Sequence, residues 1–91
     1  MKFYTPFQED ILKDIIYFTN RDGHYRYFKT RLSKLYCLDI EQIDIEIQAL
    51  INIGILTRGL HKELFNGKYT TIIKLICTKN PFSEGLKNPN D

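Results

Sequence analysis

Ninety-one residues suffice for one domain, and a chain of this size buries roughly 60–65% of its unfolded surface. That is enough for one core and too little for a large internal ligand cavity besides, while 43% hydrophobic, 26% charged and 13% aromatic residues exclude disorder as the main state. The net charge of +2 is too small to imply a polyanionic partner by itself. No apolar run approaches the ~18 residues of a membrane helix, and Met1-Lys2-Phe3-Tyr4 does not open a secretory signal. A cytoplasmic chain without a membrane partner is expected.

Thr5-Pro6-Phe7-Gln8 reads as a helix start, with Thr5 as N-cap, Pro6 at the first helical position and Gln8 closing a capping box. Phe7, Ile11, Leu12, Ile15, Ile16 and Phe18 follow at helical spacing until Asn20-Arg21-Asp22-Gly23 stops them. His24 to Tyr27 is a brief strand or the lead-in to the next helix. That second helix is expected over 27–36, with Phe28, Leu32, Leu35 and Tyr36 on its apolar face. Asp39 then caps a third helix, with Gln42 three residues on, and Ile40, Ile43, Ile47, Leu50 and Ile51 line one side as far as Gly54. Ile55 to Leu64, Asn66-Gly67 and Lys68 to Cys77 form a hairpin signature, since Asn-Gly suits a type I′ turn. On the returning strand Tyr69, Thr71, Ile73, Leu75 and Cys77 make the more apolar face, while Thr70, Lys74 and Thr78 look outward. From Asn80 the composition turns polar, so residues 1–79 are expected as the domain and 80–91 as a mobile tail.

Charge is segmented along the chain. Residues 21–38 and 58–79 each sum to +4, and residues 39–57 between them sum to −4. Cys37 and Cys77 make no disulfide framework. With His24 and His61 they reach the head-count of a zinc site, but the spacings contain no close pair, so buried free thiols and no metal are expected.

The order helix, short aromatic segment, helix, tight turn, helix, hairpin over residues 7–77 resembles the winged helix-turn-helix family. The best-matching stretch runs from Leu38 to Leu56, where Asp39, Ile43, Ile47, Leu50 and Gly54-Ile55-Leu56 fall at the family's capping, stripe and wing-entry positions. The resemblance implies an α+β fold of three helices followed by a two-stranded wing. It also implies a third helix that enters the major groove, and a transcriptional regulator or replication-associated DNA binder. The fold serves protein contacts as well. An Ile-, Tyr-, Lys- and Asn-rich composition suits an AT-rich genome such as that of a phage, virus or plasmid host.

The outward residues of the third helix are expected to be Glu41, Gln42, Ile45, Glu46, Gln48, Ala49 and Asn52, none of them basic. Carboxylates there oppose groove insertion. The expected DNA contacts are therefore Arg26, Lys29, Arg31 and Lys34 of the second helix with Arg58, Lys62, Lys68 and Lys74 of the wing, Gln42 adding only slight readout. Double-stranded DNA is favoured over single strands. Ile45, Ala49 and Ile53 form a second apolar stripe on the third helix, covered by another element of the chain or by a partner or dimer mate. A protein-interaction domain, such as an accessory subunit of a replication or transcription complex, is therefore the alternative to a DNA binder. No Gly-rich phosphate loop occurs and the five glycines stand apart, so neither enzyme activity nor a cofactor is expected.

Overall fold

The computed structural model describes residues 4–79 and Pro81. Its elements are α1 (Pro6–Asp22), β1 (Tyr25–Tyr27), α2 (Lys29–Tyr36), α3 (Ile40–Asn52), β2 (Leu56–Phe65) and β3 (Lys68–Cys77). Three helices and one antiparallel sheet of order β1-β3-β2 make the fold α+β. The sheet has three strands where the hairpin signature alone predicts two, because Tyr25, Arg26 and Tyr27 pair with Leu75, Lys74 and Ile73. The aromatic segment is thus a strand, and it shortens the expected second helix to Lys29–Tyr36. Residues 1–3, Asn80 and 82–91, including nearly all of the expected tail, lie outside the described residues.

The start of α1 follows the expected chemistry. Gln8 N donates to Thr5 Oγ1 at 3.1 Å and Thr5 N donates to Gln8 Oε1 at 3.0 Å, a complete capping box. Gly23 closes the helix at φ 88°, a left-handed conformation that costs other residues about 1–2 kcal/mol. The cap of α3 differs from expectation: Asp39 makes no side-chain cap bond, and Gln42 turns instead to Glu46, with Nε2 3.1 Å from Oε2. At the hairpin tip Asn66 and Gly67 take φ 49° and 78°, as a type I′ turn requires.

The core lies on one side of the sheet, called the front here. Phe7, Ile11, Leu12 and Ile15 of α1, Leu32 of α2 and Ile43, Ile47 and Leu50 of α3 pack with Tyr27, Ile55, Leu56 and Leu75. Tyr25, Leu75 and Arg58 form one cross-strand row, and Arg26, Lys74 and Gly59 form the next. Side chains alternate between faces from row to row, so Leu75 enters the core and Lys74 points to the back. Helix α2 buries less than its pattern suggests. Leu32 is buried, but Leu35 is 66% exposed and Phe28 is also exposed, because α2 is only eight residues long.

The outer half of the hairpin runs past the helices. Tyr69 and Thr71, expected on the apolar face, are therefore exposed, while Ile72 is buried on the back. Lys74 is half-buried rather than free: its side chain lies along Gly59, where an added Cβ would come within 3.0 Å of Cε. Neither thiol is buried as expected, since Cys37 caps α2 in the open at φ 56° and Cys77 is half-buried. Ile11→Ala, which empties a fully enclosed site, is expected to lower stability by about 2–5 kcal/mol in urea unfolding. A loss under 1 kcal/mol would contradict this packing.

Candidate functional site

The third helix presents a different surface from the one its sequence suggests. Glu46, expected outside, is only 8% exposed. Its carboxylate accepts from the Thr5 hydroxyl and from Gln42, and its backbone carbonyl accepts from Gln8 Nε2 at 3.0 Å. It clamps the cap of α1 to α3. Asp44 is occupied as well, accepting from Tyr27 Oη at 2.5 Å and from Lys29 Nζ at 3.0 Å. Burial works to raise the Asp44 carboxyl, but these two bonds and the charges of Lys29 and Arg58 outweigh it and hold it below its ordinary 3.8. The Tyr27 hydroxyl is pushed up by burial and by the same carboxylate.

What remains open on α3 is one carboxylate, Glu41, with Ile45, Gln48, Ala49 and Asn52. Gln42 is exposed, though its amide is spent on Glu46. Gln48 Nε2 donates to Asn52 Oδ1 at 3.0 Å. Ile45 is 61% exposed and Ile53 47%, so no described element of the chain covers the second apolar stripe. A cleft beside it is lined by Tyr27, Asp44, Ile45, Gln48 and Arg58. Arg58 and Lys62 continue along the front of β2, interleaved with Leu60 at 69% and Leu64 at 59% exposure, and Tyr69 at 76% stands opposite Leu64.

The expected DNA-contacting cations do not share one surface. Arg26 and Lys74 lie on the back of the sheet, and the Arg26 guanidinium is held by Glu63, with Nε 2.5 Å from Oε2. Lys29 is paired with Asp44. Arg31 lines a cleft between α1, β1 and α2, together with Asp14, Tyr25 and Phe18. There burial, reinforced by Asp14, pushes the Tyr25 hydroxyl up to about 12. Lys34 is exposed near the end of α2, and Lys68 is exposed beside the hairpin tip. Of these cations, only Arg58 lines the cleft beside the open side of α3, and Lys62 lies further out on the same face of β2.

The back of the sheet holds a grouping that sequence spacing does not reveal. His24, His61 and Glu63 bring their ligand-type atoms within 4.8 Å of one another. His61 and Glu63 share a face at period two on β2, which is legible, but His24 reaches them only because β1 joins the sheet. Among the described residues neither cysteine belongs to this group, so the two histidines come together without the thiols. Comparison with protein-family models, with curated proteins and with solved structures gives no match. Among the described residues no helix is long and apolar enough to cross a membrane.

Asp44→Asn tests the front-face network. The pair with Lys29 is 42–44% exposed, so after screening by water the substitution is expected to cost about 0.5–1 kcal/mol near neutral pH. A carboxyl held low in the folded state stabilises it fully above the unfolded value of 3.8 and loses that contribution as pH falls through the lowered value. Urea unfolding should therefore separate the two proteins near neutrality and bring them together in acid. A difference that grows on acidification would refute the assignment.

Proposed function

We propose that the chain is a winged-helix domain whose α3 and wing form a protein-docking face, and that the docked protein is a second copy of the chain. The element order and the sheet order β1-β3-β2 support the winged-helix reading. The observation that carries the docking is the front itself, where Ile45, Ile53, Leu60, Leu64 and Tyr69 are all exposed. Exposed apolar side chains collected on one face mark interfaces on soluble domains. A twofold interface uses one patch on both subunits and so must complement itself. This front carries both signs of charge, the exposed carboxylate of Glu41 at the start of α3 and the side chains of Arg58 and Lys62 along the hairpin, which a twofold contact can pair.

Duplex DNA is the second reading, favoured by one specific observation. With Glu46 buried and Asp44 neutralised by Lys29, the open side of α3 offers the amides of Gln48 and Asn52, and Gln48 shares a cleft with Arg58. Amides of this kind pair with adenine edges in the major groove. The weight against it is electrostatic, because two unpaired cations on one face supply little counterion release.

Sedimentation equilibrium of the full chain at micromolar concentrations is expected to show a dimer. Leu60→Asp with Leu64→Asp is expected to give monomers of unchanged far-ultraviolet circular dichroism, since both side chains are exposed. A wild-type monomer that binds duplex DNA, with a salt slope reduced by about two in Arg58→Ala with Lys62→Ala, would replace the first reading with the second.

A further inference from the structure

We propose that His24, His61 and Glu63 form a binding site for a divalent ion of the zinc class on the back of the sheet. The site does not depend on the docking face, which lies on the other side. His24 Nε2 and His61 Nε2 stand 3.9 and 3.1 Å from Glu63 Oε2, and the two imidazole rings are 4.8 Å apart. Ligand atoms bound at about 2.0–2.1 Å around a tetrahedral ion are separated by about 3.4 Å, so small side-chain rotations complete three of its four positions. Two imidazoles and one carboxylate suit zinc, cobalt, nickel or copper, whereas calcium and magnesium prefer all-oxygen ligands.

A second observation points to a ligand. His24 Nε2 is sealed from solvent and has no hydrogen-bond partner, although nearly every buried polar atom in a folded protein has one. A neutral imidazole nitrogen offers a lone pair there, and an ion between the two rings satisfies it. The Arg26 guanidinium already holds Glu63 Oε2. That contact does not exhaust the carboxylate, which has about four lone-pair sites, and it fixes the group in place as outer partners of metal ligands do. His61 and Glu63 remain partly open to solvent, which leaves a route of entry and a position for water.

The ion would join the two edges of the sheet. His24 immediately precedes β1, while His61 and Glu63 belong to β2, with β3 between them. Binding would tie the wing to the end of α1 across the central strand, a bond that pairing alone does not provide.

The test is titration of the full chain with Zn²⁺ by calorimetry, and with Co²⁺ by absorption, alongside a Cys37→Ser/Cys77→Ser variant that removes both thiols. One equivalent is expected in each protein, with a rise in melting temperature on addition of Zn²⁺. His61→Ala and Glu63→Gln are each expected to weaken binding by about tenfold or more, with circular dichroism unchanged. Absence of stoichiometric binding would overturn the site. So would undiminished binding in both variants, or binding lost on removal of the thiols alone.

Discussion

Strand β3 lies at the centre of the sheet, paired along all ten residues with β2 and over three with β1, so its register fixes which face each paired side chain takes. A side chain there points either into the helices or away from them, and its cross-strand neighbours share its fate. Leu75 points inward and takes Tyr25 and Arg58 with it, whereas Lys74 points backward and takes Arg26. A slip of one residue would exchange the faces. The separation of the exposed apolar front from the histidine cluster behind it is therefore a consequence of register.

The helices are fastened to this sheet and to one another by polar contacts where apolar packing ends. Thr19 accepts from the backbone of Cys77 at 3.2 Å, tying α1 to the end of β3. At the other end of α1 the buried Glu46 receives Thr5 and Gln42 while its carbonyl receives Gln8. Tyr36 donates to Asp10 and its ring stands edge-on to Phe7, with centroids 4.8 Å apart, which sets α2 against α1. Several charged groups that read as a solvated surface in one dimension are thus structural. Their use inside the fold is what leaves the open side of α3 with a single carboxylate.

Local chemistry was legible in the sequence and long-range pairing was not. The capping box at Thr5, the left-handed stop at Gly23 and the Asn66-Gly67 turn each depend on residues within a few positions, and each forms. The inward residues Ile43, Ile47 and Leu50 follow from helical period for the same reason. Glu46 could not be placed, because its burial depends on a hydroxyl 41 residues away. Nor could the histidine cluster, since His24 meets His61 only after Tyr25–Tyr27 has paired with Ile73–Leu75. The nine expected nucleic-acid contacts illustrate the same limit: block charge along the chain says nothing of which face each side chain takes once strands alternate.

Association of copies of the chain through the front of α3 and the wing is read from methyl resonances of the full chain, followed through a dilution series across the micromolar range. Ile45, Ile53, Leu60 and Leu64 should shift together with concentration, while Leu12 and Ile15 in the enclosed core should stay fixed. Front-face resonances that do not move with concentration, or shifts confined to Leu35 of α2, would contradict the account.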